Sequence, residues 1–379
     1  MTKTPHYKLV LNHISIPFRV KFCHASAERA ETSSLWVEAV SESGLVGYGE
    51  SCPRSYVTGE SLESAQSFFS QHQDAICNEI TSLSTLRAWA AKHQNELNSN
   101  PAAWCAIELS ILDLLAKQEN MSIEHFLNMP ALHGSFQYSA VLGDASIDTF
   151  KLSAEQYFQQ GFTDFKLKLS GNIKRDKEKI TVIRELKKND IRIRVDANNL
   201  WEQSDGAIKF LQALDYPFFA IEEPLLPNAY PELSLIADAL NCKIILDESF
   251  LRVEQFESLQ NSPQHWLINL RISKMGGLLR SLAIIDCARK LGINLIIGAQ
   301  VGETSLLTRA ALTAAVAASD ILIAQEGAFG THLLESDICK PPVMFAKAGL
   351  LNVANYPALI KPGLGFTFEE KPNFISELL

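Results

Sequence analysis

"DFKLKLS", residues 164–170, belongs to a series of short β-rich runs that decides the fold. The other runs are "QYSAVLG" (137–143), "IRIRVDAN" (191–198), "FFAIEEP" (218–224), "KIILDES" (243–249), "WLINLRISK" (266–274), "NLIIGAQ" (294–300) and "ILIAQEG" (321–327). Amphipathic stretches of helical length, such as residues 176–188 and 278–291, lie between them. Eight strands that alternate with helices over about 200 residues predict a (β/α)8 barrel of the TIM type within an α/β fold.

A doubly wound parallel sheet is the main alternative to the barrel. Such a sheet usually carries a Gly-rich first turn that binds phosphates. The sequence contains neither a GxGxxG nor a Walker pattern. We therefore favour the barrel and assign it residues 131–349.

The first 130 residues have a different pattern, which predicts an N-terminal α+β domain (1–130). Strand-like runs at 7–16, 34–40 and 45–50 suggest an antiparallel meander, and residues 61–128 are helical in period.

Within that helical region, Pro101 opens "PAAWCAIELSILDLLAKQ" (101–118), which has an apolar face that includes Trp104 and Ile107. Glu108 interrupts this face, so we place the edge of the buried stripe near it. The C-terminal tail (350–379) contains several Pro and Gly residues and no further βα unit. We expect it to fold back and complete the N-terminal domain.

The composition excludes several classes of function. The 379-residue chain has 34 basic and 43 acidic residues, a net charge of −9, and no basic run, so nucleic-acid binding is not expected. No apolar stretch approaches the ~18 to 20 residues of a membrane span, and no signal peptide is visible. The seven cysteines are scattered without metal-binding spacing. They predict buried free thiols in a cytoplasmic protein.

Ionisable residues follow the barrel strands at the ends where such barrels carry their catalytic groups. They are Lys166 and Lys168 on strand two, Asp196 on strand three, Glu222 on strand four, Asp247 on strand five and Lys274 on strand six. Neighbouring positions from Lys168 to Lys274 are one βα unit apart. The six side chains are therefore predicted to surround one barrel mouth.

Their chemistry suggests proton transfer beside a metal ion. Lys166 and Lys168 are two residues apart and face the same way, and repulsion between two ammonium groups would lower the pKa of one of them. Carboxylates from three neighbouring strands suit one Mg²⁺ ion. Within the acidic pairs, Glu223 and Glu248 could replace Glu222 and Asp247.

The motifs resemble those of the enolase superfamily, in the subgroup of muconate lactonizing enzymes, dipeptide epimerases and o-succinylbenzoate synthases. The matching strings are "FKLKLSG" (165–171), "RVDANNLW" (194–201), "IEEPL" (221–225), "LDESF" (246–250) and "RISKMGG" (271–277). "HASAERAE" (24–31) and "GYGESCPRSYVTGE" (47–60) resemble loops of the family's capping domain, which close over the substrate. The resemblance covers nearly the whole chain and implies that the N-terminal domain is such a capping domain.

The resemblance also implies roles for the strand-end residues. Lys168 and Lys274 would be acid/base groups on opposite faces of the substrate, with Lys166 beside them. Asp196, Glu222 and Asp247 would bind one Mg²⁺. Asn198, Glu223 and Glu248 would surround these ligands. A small carboxylate substrate and a homo-oligomeric assembly are implied as well.

The expected chemistry is removal of the α-proton of a carboxylate to give a metal-stabilised enediolate. We expect a racemase or epimerase that acts on a small amino-acid or dipeptide-like acid. A muconate-type cycloisomerase and a β-eliminating o-succinylbenzoate synthase remain alternatives. A Schiff-base aldolase and a non-catalytic carboxylate-binding barrel are less favoured. No strand-end His/Asp dyad occurs, because His265 precedes strand six and His332 follows strand eight. This disfavours the mandelate racemase type.

Substrate specificity is expected to depend on the last strands and on the loops of the capping domain. Dipeptide epimerases carry a DxD motif at the end of strand eight. The corresponding segment of this chain is "AQEGAFGTHLLESDI" (324–338). Within it, "FGTHLL" resembles the sequence that muconate lactonizing enzymes have at this place. The candidate substrate contacts are Glu326 in this segment, Glu303 after strand seven, His24 and Arg29 in the first loop, and Tyr56 and Thr58 in the second.

Overall fold

The computed structural model describes residues 7–24, 27–186, 191–368 and 371–378, without the side chains of residues 20–28. Its N-terminal part consists of an antiparallel sheet, several helices and a short strand that leads into the barrel. In chain order they are β1 (Tyr7–His24), β2 (Ala27–Ser41), β3 (Val46–Ser51), α1 (Leu62–Glu79), α2 (Leu83–Lys92), α3 (Gln94–Ser99), α4 (Pro101–Gln118), α5 (Ile123–Phe126) and β4 (Ser135–Gln137).

The antiparallel sheet packs closely on α4. The register of β2 and β3 places Val37 opposite Gly49. A Cβ atom on Gly49 would lie 1.9 Å from the carbonyl oxygen of Ala106, so only glycine permits this approach of strand to helix.

Helix α4 is buried on every face, which corrects the expectation of a stripe ending near Glu108. Glu108 is itself buried, because it reaches the first turn of a barrel helix and accepts a hydrogen bond from Leu279 N (2.9 Å). Apolar periodicity could not reveal this second contact.

The remaining elements alternate as βα units and end with two short strands. They are β5 (Ala140–Leu142), α6 (Ile147–Gln160), β6 (Asp164–Lys168), α7 (Ile173–Leu186), β7 (Arg192–Asp196), α8 (Ser204–Ala213), β8 (Ala220–Glu222), α9 (Tyr230–Leu240), β9 (Lys243–Leu246), β10 (Trp266–Leu270), α10 (Ile272–Met275), α11 (Leu278–Leu291), β11 (Asn294–Ile297), α12 (Ser305–Ala317), β12 (Leu322–Gln325), β13 (Leu350–Asn352) and β14 (Ile375–Glu377).

Strands β5 to β12 form one curled parallel sheet in sequential order, as the (β/α)8 prediction requires. A backbone hydrogen bond from Ser139 N to Gln325 O (2.8 Å) joins the first strand to the last. Side chains inside the sheet form a separate apolar cluster, which consists of Ala220, Ile245, Leu267, Ile296 and Ala324. The predicted fold class is confirmed.

Strand six is shorter than predicted. β10 ends at Leu270, and Lys274 lies on the helical turn α10 instead of on the strand. Lys274 nevertheless returns to the strand end, because its ammonium donates a hydrogen bond to Asn269 O (2.7 Å).

The tail folds back as expected. β14 pairs with β1 in antiparallel register, with Ile14 opposite Ile375. The backbone of Leu364 donates to Asp113 on α4 (2.6 Å). β13 pairs with β4 beside the barrel. The domain boundary near residue 130 remains a prediction.

The cysteines and helices carry little further information. Six cysteines in the described part are free, of which Cys52, Cys77 and Cys105 are buried and three are partly exposed. None of the described helices has the length and apolar character of a membrane span.

A buried acid links the N-terminal sheet to the barrel. Glu50, on β3, accepts hydrogen bonds from Thr304 N (2.9 Å) and Thr304 Oγ1 (2.5 Å) at the start of α12. Burial raises the pKa of Glu50 to about 7, although these hydrogen bonds oppose the shift.

Glu50→Gln is expected to change how stability depends on pH. Between the usual carboxyl value of 4.5 and the folded value of about 7, the unfolded chain releases the Glu50 proton while the folded chain retains it. Wild-type stability is therefore reduced as pH rises through this window, by up to about 3 kcal/mol. Glu50→Gln should avoid this loss, and urea denaturation at pH 5 and pH 7.5 measures the difference. The exposed Glu42→Gln should follow wild type. An equal Glu50→Gln effect at both pH values would contradict the assignment.

Candidate active site

The ionisable residues predicted from the strand ends meet at one mouth of the barrel. Lys166 and Lys168 lie on β6, Asp196 ends β7 and Glu222 ends β8. The parallel register places Lys168 opposite Asp196, and Asp196 opposite Glu222. Asp247 follows β9 directly. The strand ends therefore form a continuous row of charged side chains.

Lys166 occupies the centre of this row. Its Nζ lies 2.8 Å from Glu222 Oε1 and 3.1 Å from both Asp196 Oδ2 and Glu326 Oε2. Burial alone would lower the pKa of Lys166, but these three carboxylates outweigh burial and raise it well above its usual value. Repulsion between the two ammonium groups therefore does not lower the pKa of Lys166, because the three carboxylates dominate its surroundings.

Lys168 lies at one end of the row. Its Nζ donates hydrogen bonds to Asp196 Oδ2 (2.8 Å) and Asn198 Oδ1 (2.9 Å). The backbone of Asn198 in turn donates to the other Asp196 oxygen (3.0 Å). Asn198 therefore contacts both the lysine and the carboxylate.

Lys274 lies at the other end and is fully buried. Its Nζ donates to Asp247 Oδ1, Asp247 O and Asn269 O, each at 2.7 Å. Burial lowers the pKa of Lys274, and Asp247 only partly offsets this effect.

Glu222 lies between the two lysine ends, beside three other carboxylates. Burial and the carboxylates of Asp196, Glu326 and Asp247 raise the pKa of Glu222 to about 7, although Lys166 opposes them. Its Oε1 accepts hydrogen bonds from Lys166 Nζ and Asn269 Nδ2, and its Oε2 lies 2.7 Å from Lys166 Nζ. One ammonium therefore contacts both oxygens of Glu222 and is shared with Asp196 and Glu326.

Glu223 and Glu248, the acidic neighbours of Glu222 and Asp247, have different environments. Glu223 accepts hydrogen bonds from Asp247 N (2.6 Å), Ser249 N (2.8 Å) and Ser249 Oγ (2.8 Å), so it supports the β9 loop from behind. Glu248 instead lines the cavity, and burial raises its pKa well above the usual value.

A cavity of about 390 Å³ opens above the charged row. Of the predicted substrate contacts, Tyr56, Glu303 and Glu326 line it, together with Lys166 and Lys168. Burial raises the pKa of Glu303 to about 8.

The other predicted contacts lie differently. Thr58 does not line the cavity, and its hydroxyl donates to Arg54 O (3.4 Å). Arg29 lies on β2 and does not line the cavity either. The side chain of His24 is outside the described residues. His332 follows strand eight as expected, yet it lines the cavity, whereas His265 pairs with Asp238 (2.9 Å).

The N-terminal domain touches this cavity directly. Arg54 donates to Val301 O (2.7 Å), and Arg19 N donates to Leu333 O (2.8 Å). Val301 and Leu333 both line the cavity. The domain therefore has the position of a cap over the barrel mouth.

Several charged residues of the mouth were missed by the sequence analysis. Arg194 donates to Glu326 Oε1 (2.7 Å) and also pairs with Asp164. Arg271 pairs with Asp247 and donates to Gln300 (3.0 Å). Side chains two residues apart on a strand face the same way, so Asp164 could have been predicted from Lys166, and Arg194 from Asp196. Arg271 directly follows β10 and could have been predicted as a further strand-end residue.

Comparison with known proteins agrees with this geometry. Residues 149–371, more than half of the chain, match the family described as enolase C-terminal domain-like. The chain is 25% identical over 300 residues to the N-succinyl-L-Arg/Lys racemase of Bacillus cereus, covering 78% of this chain and 80% of the relative. It is 27% identical over 316 residues to the hydrophobic dipeptide epimerase of Enterococcus faecalis, covering 81% and 85%.

The solved dipeptide epimerase of Enterococcus faecalis, in complex with Mg and the dipeptide L-Leu-L-Tyr, has the same fold. Its TM-score is 0.81 at 25% identity, and the match covers 98% of this chain and 100% of that structure. These relatives are racemases and epimerases, the class of isomerase that the sequence predicts. The chain belongs to the enolase C-terminal domain-like family.

Proposed function

We propose that this protein is a Mg²⁺-dependent racemase or epimerase that moves the α-proton of a small carboxylate substrate between its two faces. One observation carries the proposal: Lys168 and Lys274 lie at opposite ends of a row of three carboxylates at one barrel mouth. A 1,1-proton transfer needs two such groups, one to remove the proton and one to deliver it. The names of the relatives favour this reaction over cycloisomerisation and elimination.

The carboxylate row fits one Mg²⁺ ion. Asp196, Glu222 and Asp247 supply the hard oxygen ligands that this ion prefers. The pKa of Glu222 is raised although Lys166 Nζ lies 2.7 Å from its Oε2, because Asp196 and Glu326 share the same ammonium. A further positive charge would therefore stabilise the row, to which Lys166 and Arg271 already supply part of the neutralising charge. When bound, Mg²⁺ would offset negative charge on the substrate carboxylate.

The lysines provide the proton relay. Lys168 Nζ is held by Asp196 and Asn198, and in its neutral form it removes the α-proton from one face. Lys274 Nζ, held by Asp247 and Asn269 O, delivers a proton to the other face. The roles reverse for the opposite enantiomer. The capping contacts at Val301 and Leu333 exclude water from this exchange.

The environment of Glu326 supports a substrate whose nitrogen substituent is uncharged. A free substrate ammonium would need an unpaired carboxylate, yet Glu326 already accepts from Arg194 and Lys166. These cations outweigh burial and lower the pKa of Glu326 to about 2. An N-acylamino acid has no ammonium to pair, so we propose that N-acylamino acids are better substrates than dipeptides.

Replacing either lysine should stop epimerisation but leave different exchange reactions. In D2O with Mg²⁺, wild type should deuterate the α-carbon of both enantiomers of a substrate. Lys168→Ala should retain exchange of only the enantiomer that Lys274 deprotonates, and Lys274→Ala should show the converse. Epimerisation should fall at least ~10²-fold in both. Proton NMR and mass spectrometry measure label and product.

The exposed Lys361→Ala is the matched control and should behave as wild type. Full turnover in both lysine variants would refute the two-base assignment. A product that has lost water or formed a lactone would indicate elimination or cycloisomerisation instead.

Glu326→Gln should change substrate preference rather than abolish turnover. The neutral amide removes one of the carboxylates that Arg194 and Lys166 contact, so a substrate with an added carboxylate, such as an N-succinylamino acid, should show a lower KM than the corresponding N-acetylamino acid. The measurement is kcat/KM for both substrates and for a dipeptide. Wild type should prefer the N-acylated substrates, and a wild-type preference for dipeptides would contradict the proposed substrate class.

Glu223→Ala should destabilise the site from behind. It leaves Asp247 N, Ser249 N and Ser249 Oγ without their acceptor, at about 1 to 3 kcal/mol for each buried donor. Ser249→Ala removes one of these bonds and the acceptor of Asn228 N, and should still cost less in urea denaturation. Loss of a residue that orients a ligand should also weaken Mg²⁺ binding ~10- to 100-fold, measured as the rise in Tm with Mg²⁺ concentration. Equal effects of the two variants would contradict this role.

A further inference from the structure

Three potential metal ligands converge in the N-terminal domain, away from the barrel mouth. His72 lies on α1, His93 joins α2 to α3, and Glu96 lies on α3. One ligand atom from each residue lies within 4.8 Å of the other two. The chain thus brings two imidazoles and a carboxylate together from three helical segments.

The spacing of these atoms suits a small tetrahedral ion. His72 Nε2 lies 3.1 Å from Glu96 Oε2, and His93 Nδ1 lies 3.4 Å from the same oxygen. Ligands about 2.0 to 2.2 Å from a tetrahedral Zn²⁺ are separated from one another by roughly 3.4 Å. Two of the three separations therefore match those of a tetrahedral site, and all three ligand atoms lie within 4.8 Å of one another.

Aromatic side chains fix the two imidazoles. His93 stacks on Trp89 with ring centroids 4.1 Å apart, and His72 packs against Phe68 at 4.6 Å. The ring of His72 also meets the edge of Trp89 at 5.9 Å. Glu96 is exposed on the solvent side, so a fourth position is open to water. Rings held in place in this way lose little freedom when they bind an ion.

We propose that His72, His93 and Glu96 form a second metal site, selective for a transition-metal ion such as Zn²⁺, which fastens α1, α2 and α3 together. Two nitrogen ligands and one carboxylate favour Zn²⁺, Co²⁺, Ni²⁺ or Cu²⁺ over Mg²⁺, which prefers oxygen ligands. The site is independent of the barrel carboxylates and of the proposed reaction.

Co²⁺ provides a direct probe of this site. The full-length protein is titrated with Co²⁺ in saturating Mg²⁺, because the barrel carboxylates could otherwise bind the same ion. Wild type should bind one equivalent of Co²⁺ with visible absorption typical of a tetrahedral nitrogen–oxygen site. It should also show quenching of tryptophan fluorescence through the stack of His93 on Trp89.

Two variants and two controls test whether these three side chains bind the ion. His93→Gln and Glu96→Gln, which replace residues at the partly exposed side of the cluster, should each weaken Co²⁺ binding at least tenfold and leave epimerisation in saturating Mg²⁺ unchanged. His265→Gln disrupts a single histidine–carboxylate pair with Asp238 and should bind Co²⁺ as wild type does. Asp247→Asn should lose the barrel activity and retain this Co²⁺ signal, so failure of the proposed function would not affect the result.

The outcome decides between a metal site and a set of hydrogen bonds between helices. No Co²⁺ or Zn²⁺ binding in saturating Mg²⁺ would overturn the proposal. Binding that His93→Gln and Glu96→Gln leave unchanged would overturn it as well. Saturable binding that only these variants weaken, with a Zn²⁺-dependent rise in Tm that they abolish, supports it.

Discussion

One ammonium group holds the barrel mouth together. Lys166 Nζ lies within 3.1 Å of carboxylates from three different strands, Asp196, Glu222 and Glu326. Buried carboxylates repel one another strongly, and each would be protonated or displaced without a nearby cation. The row can remain dense in acids only because Lys166, and beside it Arg271, neutralise part of the charge. The two outer lysines bind the carboxylates at the ends of the row: Lys168 binds Asp196, and Lys274 binds Asp247.

Much of this arrangement was predictable because the chain repeats. One βα unit separates neighbouring strand ends, so the spacing from Lys168 to Lys274 was sufficient to predict a single mouth. The family motifs added the interpretation of these residues. The structure and the comparisons establish the barrel and the family, whereas the roles of the site residues are proposals.

The features that were not predicted depend on contacts between distant segments. Glu108 is an acidic residue on a helix that is otherwise largely apolar. Its burial is explained by the hydrogen bond that it accepts at the start of α11. Lys274 lies on a helical turn after β10, and from there its ammonium donates a hydrogen bond back to Asn269 O. The pairing of Glu326 with Arg194 joins the last barrel strand to the third. A period along one strand contains no information about such partners.

Buried hydrogen bonds connect the N-terminal domain to the turn that carries Lys274 and to the start of α12. At the end of β3, Cys52 N donates to Ser273 Oγ (2.9 Å), directly before Lys274 on α10. Two residues earlier, Glu50 accepts from the start of α12. A shift of β3 would therefore disturb the turn that carries one proposed acid/base group and the helix that follows strand seven. Because these contacts are buried, their polar atoms would be left without partners if the two domains separated. The same strand, β3, consequently holds the N-terminal domain against the barrel and supports the turn that carries Lys274.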